Sequence, residues 1–221
     1  MTAIVNEDLE AYLLHLGRAR DPLLVELEQR AQAAKVQIIG PLVGRLCQQL
    51  ATAINARDVF EMGSGIGYST WWFAQAVGPS GRVVHTEGDA KRSAEARAFL
   101  DEAGLGPRVH YEVGDPREVI KQYPGPFDIV FIDVDKHGYP EALELARSRV
   151  RVGGYIICDD ALWAGKMLEP PSKQDADTRA VARYNKDAYA APDLLTTILP
   201  LRNGVALSLK LAAESKRRRP G

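Results

Sequence analysis

Three acids and a lysine stand in two short segments of this 221-residue chain. Asp133 and Lys136 lie in Phe131-Ile132-Asp133-Val134-Asp135-Lys136, and Asp159-Asp160 follows directly on Gly154-Tyr155-Ile156-Ile157-Cys158. Each set ends a short apolar run that reads as a strand. If the two strands are neighbours, their tips bring three carboxylates within a few ångströms of one another. A cluster of hard oxygen donors without histidine or cysteine calls for Mg²⁺, or for Ca²⁺ or Mn²⁺. The plainer alternative is that Asp159-Asp160 caps a turn and Asp133 is a lone rim acid, but clustered acids without a counter-charge are costly. Lys136 can reach the same space. Beside a metal and a cationic ligand, its pKa can fall far enough for it to act as a base.

A second segment with chemical potential is Val59-Phe60-Glu61-Met62-Gly63-Ser64-Gly65-Ile66-Gly67-Tyr68-Ser69-Thr70. An apolar run ends in glycines at alternate positions, and a helix-like run from Trp71 to Val77 follows. This pattern predicts a strand, a tight turn and a helix N-terminus, where free N–H groups and the dipole end favour a polar ligand. Tight packing without a ligand would give the same pattern. Glu87, about twenty residues further on at the end of another apolar run, suits hydrogen bonding to ribose hydroxyls. A dinucleotide fingerprint needs glycine where Tyr68 stands, so the turn favours a nucleoside without a pyrophosphate, a description that S-adenosylmethionine fits. Trp71 and Trp72 read as core packing.

The elements that must position these residues alternate along the chain. Helices are predicted over Asn6–Arg18, from Asp21-Pro22 to about Lys35, and from Gly40-Pro41 to Asn55. Strands are predicted at Asp58–Met62, Gly81–Glu87, Arg108–Val113, Phe127–Ile132 and Gly154–Cys158. Helices at Asp89–Gly104, Pro116–Gln122 and Pro140–Arg151 lie between them. Ligands of such sheets lie beyond the strands' carboxyl ends, where this chain places Glu61, Glu87, Gly114-Asp115, Asp133 and Asp159-Asp160. After a helix over Asp177–Tyr189, the runs Leu194–Leu201 and Val205–Leu211 flank Arg202-Asn203-Gly204, a hairpin signal. The expected fold is α/β: a doubly wound, mostly parallel seven-stranded sheet with an antiparallel C-terminal hairpin strand, preceded by N-terminal helices. Residues 1–55 are expected to form a lid or oligomer contact of the same domain, 56–211 its core, and 212–221 a basic, disordered tail.

At 24.2 kDa, with 46% hydrophobic and 26% charged residues, the chain suits one soluble domain. The formal net charge of -1 argues against a general nucleic-acid or membrane-surface binder. Cys47 and Cys158 lie in apolar runs and read as reduced core residues. No signal-like N-terminus or spanning run is seen, so a cytoplasmic protein is expected.

Together these residues resemble the metal-dependent, S-adenosylmethionine-dependent O-methyltransferases of the catechol and caffeoyl-CoA type. The matching segments are Glu61–Ser69, Phe131–Lys136 with Tyr139, Asp159-Asp160-Ala161-Leu162-Trp163, the Tyr184-Asn185 pair and Leu199–Gly204, within a resemblance running from about Val36 to Lys210. The resemblance implies a class I methyltransferase fold. It also implies that Glu61, Gly63, Tyr68 and Ser69 line the methionine end of the cofactor, with Asp133 alongside. Glu87 would hold the ribose, and Gly114, Asp115 and Pro116 the adenine. Asp133, Asp159 and Asp160 match the metal ligands, Lys136 the base, and Val36–Ile38 a cofactor-covering segment. Tyr139 and Trp163 are expected as acceptor walls, the acceptor as a catechol-like or phenolic small molecule, and the assembly as a homodimer. One departure stands out: the third metal position, usually asparagine, is Asp160, which bears on which metal binds. A nucleotide-dependent oxidoreductase and a non-catalytic cofactor binder remain the alternatives.

Overall fold

The computed structural model describes residues 7–212; the basic segment 213–221 lies outside the described residues. Three helices come first: α1 (Glu7–Leu16), α2 (Pro22–Ala34) and α3 (Gly40–Ala53). Asp21 caps α2 by accepting the Leu23 N–H at 2.9 Å, with Pro22 at the first helical position. The alternating part follows as β1 (Asp58–Met62), α4 (Tyr68–Val77), β2 (Arg82–Glu87), α5 (Ala90–Glu102), β3 (Val109–Val113), α6 (Pro116–Val119), β4 (Phe127–Ile132), α7 (Tyr139–Arg147) and β5 (Val150–Cys158). The chain then forms α8 (Ala176–Ala190), β6 (Leu194–Leu199) and β7 (Val205–Lys210).

The seven strands make one sheet in the order β3-β2-β1-β4-β5-β7-β6. β3 to β5 pair in parallel, whereas β7 runs antiparallel to both β5 and β6. The chain winds outward from β1 through β2 to β3, then restarts at β4 on the other side. The strand order therefore reverses between β1 and β4, and a crevice opens above their carboxyl ends.

Both faces of the central strands are covered, so they read as continuous apolar runs. In β4, Ile129 and Phe131 pack with Val43, Cys47 and Phe73 of α3 and α4 on one side. Val130 and Ile132 pack with Tyr139, Leu143, Val181 and Tyr184 of α7 and α8 on the other. Trp71 and Trp72 lie in the first of these layers, and both cysteines are buried and free. Among the described residues no helix is long and apolar enough to cross a membrane.

One boundary needs correction. The expected helix to Arg151 ends at Arg147, and β5 begins at Val150 rather than at Gly154. Arg149 turns out of the helix because its carbonyl accepts the Phe127 N–H at 2.7 Å, joining the sheet through a neighbour remote in sequence. The stretch between β5 and α8 contains short 3₁₀ turns at Trp163–Leu168 and Pro171–Lys173.

Candidate active site

A cavity of about 1140 Å³ lies above the carboxyl ends of the strands at the switch point. Its lining includes the Gly63–Ile66 turn, Tyr68 and Ser69, Glu87 at the end of β2, Asp115 and Pro116, and the segment Asp133–Gly138. It is completed by Asp159, Asp160 and Trp163, roofed by Val36–Ile39, and bordered by Arg202 and Asn203.

The glycines of the turn serve different ends. At Gly63 (φ +86°) a Cβ would come within 2.2 Å of the Asp133 carbonyl oxygen, so this glycine lets β1 and β4 close on each other. That contact is reinforced by the Asp133 N–H donating to the Met62 carbonyl at 2.8 Å. Gly65 (φ +53°) has open space where its Cβ would stand, and it is the position that gives a ligand access to backbone.

Glu61, expected on the rim, is instead wholly buried beneath the turn and does not line the cavity. Thr70 donates to its Oε2 at 2.5 Å and stands 3.1 Å from His85 Nδ1. Burial lifts the Glu61 carboxyl to about 7, with hydrogen bonds from Ser69, Thr70 and Ser64 pulling it back. Burial likewise holds His85 neutral, at about 4, with Arg97 adding to the effect. Oε1 of Glu61 is buried without a partner. Glu61 thus supports the turn from beneath, and the open backbone at Gly65 with Ser69 and Glu87 on the cavity wall is what fits a polar, nucleoside-bearing ligand.

Glu87 caps the next strand. Its Oε1 accepts the Asp89 N–H at 2.9 Å and lies 4.0 Å from Arg92. Asp115 accepts the Arg117 N–H at 2.9 Å and pairs with the same guanidinium at 2.6 Å. Gly114 does not reach the cavity, whereas Asp115 and Pro116 do.

On the other side of the switch point, Asp133, Asp159 and Asp160 bring one carboxylate oxygen each within 4.8 Å of one another. β4 and β5 are paired through Ile132 and Cys158, which fixes the first two side by side. Asp160 adopts φ +54°, a left-handed turn that points the chain back towards β7. Asn185 of α8 holds this kink by donating to the Ala161 carbonyl at 2.7 Å. Lys136 supplies the counter-charge: its Nζ is 2.7 Å from Asp160 Oδ2 and 3.5 Å from Asp133 Oδ1, and it donates to the Tyr139 hydroxyl at 2.7 Å. Burial raises Asp159 well above the usual carboxylate range, with Asp133 and Asp160 adding to it. Withdrawal from solvent also lifts Asp133, to about 6, although Lys136 opposes the shift. Burial pulls the Lys136 pKa down, but Asp133 and Asp160 outweigh it, and the ammonium is held above its ordinary value. The lowered pKa expected from sequence is thus absent while the carboxylates face the lysine directly. Three crowded oxygen donors, two of them (Asp133 and Asp159) with raised proton affinity, fit a hard divalent cation, which would displace protons from those two.

Tyr139, expected as a wall, is completely buried and does not line the cavity. Its hydroxyl donates to the Asp159 carbonyl at 2.9 Å while accepting from Lys136, so it supports the lysine from behind. Trp163 does line the cavity, with Lys136 and Lys166 over its ring at 5.3 and 4.9 Å. Sequence reasoning missed Lys35, Arg92, Arg117, His137 and Arg202 in the lining. Arg92, five residues after Glu87, carried the clearest overlooked signal.

The O-methyltransferase family model matches residues 20–211. A catechol O-methyltransferase of Niastella koreensis is 32% identical over 216 residues, covering 93% of this chain and 97% of the relative. A caffeoyl-CoA O-methyltransferase of Petunia hybrida is 28% identical over 183 residues, covering 76% of this chain and 74% of its own. Among solved structures, an O-methyltransferase from Bacillus cereus in complex with SAH superposes with a TM-score of 0.84 at 28% identity, covering 92% of this chain and 97% of that one. These matches remove the oxidoreductase and non-catalytic alternatives, and with the acids and glycine turn they lead to one conclusion: the chain belongs to the O-methyltransferase family and is an S-adenosylmethionine-dependent enzyme of the catechol and caffeoyl-CoA type.

Proposed function

We propose that the enzyme transfers a methyl group to a phenolic hydroxyl of a catechol-like acceptor, with a divalent metal, most simply Mg²⁺, held by Asp133, Asp159 and Asp160 and with Lys136 as base. The observation that carries this reading is the three-carboxylate cluster with Lys136 inside it, in the same cavity as the glycine turn and Glu87. S-adenosylmethionine supplies an electrophilic sulfonium methyl, and a bound metal supplies the charge that acidifies and orients an acceptor hydroxyl.

The chain's own residues have distinct tasks. Ser69 and the Gly63–Ile66 backbone bound the methionine end over the orphaned Glu61 Oε1, and Glu87 meets the ribose edge. Asp115 and Pro116 border the adenine end. Gly63 and Asp133 hold β1 and β4 in contact, which keeps donor and acceptor halves at a fixed separation, a positioning effect rather than a chemical one. Lys136 Nζ, once unpaired from Asp160 and after its ammonium has released a proton to solvent, receives the acceptor proton as a neutral amine, with Tyr139 keeping it aimed at the carboxylates. Trp163 and Ile38 exclude water from the acceptor half. Such a site works from an intracellular pool of cofactor, with Val36–Ile39 as its roof and α1 to α3 as a contact for a second copy.

A screen of catechol, caffeoyl and hydroxylated natural-product acceptors with labelled S-adenosylmethionine and Mg²⁺ tests the proposal. Label is expected on one oxygen of a vicinal diol. Transfer only to acceptors with no paired hydroxyls would contradict it.

A further inference from the structure

The cavity continues past the site described above. A second lobe of about 460 Å³ lies between α2 and the turn joining β6 to β7, and shares Lys35, Val36, Gln37, Ile38 and Arg202 with the main cavity. One of its two cations, Lys35, is unlike those elsewhere in the site. Arg92, Arg117 and Lys136 each face an acid at a strand tip, Glu87, Asp115 and Asp160 respectively. In the lobe the one lining acid, Glu28, is already engaged, accepting the Tyr68 hydroxyl at 2.7 Å and pairing with Arg20 at 3.1 Å. Lys35 is paired with no acid among the described residues, and Arg202 pairs through Nε alone with Glu10 at 4.0 Å, as loosely as Arg92 with Glu87. Asp177 lines the main cavity but not the lobe.

Both cations also sit where the backbone favours glycine. Lys35 ends α2 at φ +54° and Arg202 occupies the hairpin turn at φ +52°. A side chain at either position costs conformational energy that glycine would avoid, and such outliers gather where a side chain is needed. Gly40 makes room for the arginine: a Cβ there would lie 1.8 Å from Arg202 Nη1. That same nitrogen donates to the Ile38 carbonyl at 3.2 Å, which lays the guanidinium along the roof and leaves most of its N–H groups for another acceptor.

We propose that this lobe is a tail subsite for the methyl acceptor, and that it takes an anionic group, a carboxylate or a phosphate, carried away from the hydroxyl that is methylated. This inference rests on the phenolic-acceptor reading above. Lys35 and Arg202 supply the charge, and the gap between α2 and the β6–β7 turn supplies the room.

The test is equilibrium binding and methylation of a charge series on one scaffold by the full chain with Mg²⁺, using S-adenosylhomocysteine for binding and S-adenosylmethionine for turnover. The probes are dihydrocaffeate, ethylcatechol and dopamine, with caffeoyl-CoA as the phosphate-bearing arm. The anionic catechols are expected to bind about tenfold tighter than ethylcatechol, and dopamine more weakly, as charge-assisted hydrogen bonds at a partly exposed site allow. A gain for dihydrocaffeate assigns the lobe to a carboxylate, and a gain confined to caffeoyl-CoA assigns it to a phosphate. Arg202→Gly relieves the left-handed residue and so retains the fold, and it is expected to bring the anionic-to-neutral ratio close to one. Lys35→Gln is expected to lower the ratio part of the way, and Arg202→Lys to restore most of it. Methylation of the whole series without charge preference, or a ratio unchanged in Arg202→Gly, overturns the subsite alone. Failure to bind or methylate any catechol overturns the acceptor reading and the subsite with it.

Discussion

Glu61 of β1 and Asp159, just past the end of β5, are both buried carboxyls near the switch point whose proton affinity burial raises, yet their neighbours differ in kind. Burial lifts Glu61 to about 7, and its neighbours are neutral hydroxyls, Thr70, Ser69 and Ser64, that oppose the rise. Asp159 sits with Asp133 and Asp160 around a lysine ammonium, as part of an ionic cluster open to the cavity. Hydroxyls can be rearranged around an incoming polar group at little cost, whereas an ionic cluster demands a cation of its own. The β1 side is therefore suited to an organic ligand that comes and goes, and the β4–β5 side to a hard ion that stays.

Mutations should separate the two sides, and the largest effect belongs to the ionic one. Asp133→Ala is expected to reduce methyl transfer by about a thousandfold or more, because it deletes a charge that the proposed metal needs. Isothermal titration with Mg²⁺ or Mn²⁺ should show metal binding lost in parallel, and retained metal binding would argue that Asp133 acts otherwise. Next comes Lys136→Ala, expected to fold and to bind cofactor while kcat falls by about a hundredfold or more. A fall in cofactor affinity of the same size would assign the lysine a binding role instead.

The hydroxyl-bound side should show itself in pH dependence. Glu61 is raised from 4.5 to about 7, so the cofactor-free fold binds a proton more tightly than the unfolded chain. Its contribution is present at low pH and is lost as pH rises through that interval, to at most about 3 kcal/mol. Thermal melts between these limits should show the loss, and Glu61→Gln should remove its share, leaving that of Asp133 and Asp159. A wild-type curve that is flat or rising through the interval would contradict the burial of a protonated Glu61. The smallest effect expected is at Tyr68→Phe, which removes the hydroxyl joining α4 to Glu28 of α2 and should cost about 1 kcal/mol in denaturant unfolding.

The same contrast explains what could be read from residue order. Asp133, Lys136, Asp159 and Asp160 stand at the tips of apolar runs, so strand periodicity and adjacency in the sheet were enough to bring them together. The glycine turn was legible for the same reason, although the close contact between β1 and β4 that Gly63 permits was not. The mostly parallel sheet and its antiparallel closing strand followed from alternation and the Asn-Gly turn. The retreat of Tyr139 behind Lys136 and of Glu61 beneath the turn was not legible, because both depend on which face of an element meets a neighbour distant in sequence. The early start of β5 has the same origin, since Arg149 leaves its helix to pair with Phe127. Lys35 and Arg202 are far apart in the chain and share a lobe only through packing.

The most direct test of the two-sided site is the rate of methyl transfer to a catechol acceptor with saturating S-adenosylmethionine, measured in excess Mg²⁺ and again after exhaustive chelation. The expected result is turnover that disappears on chelation and returns with added metal, while S-adenosylhomocysteine binding persists throughout because the β1 side needs no ion. Undiminished turnover in the chelated enzyme would contradict the assignment of Asp133, Asp159 and Asp160 to a catalytic metal.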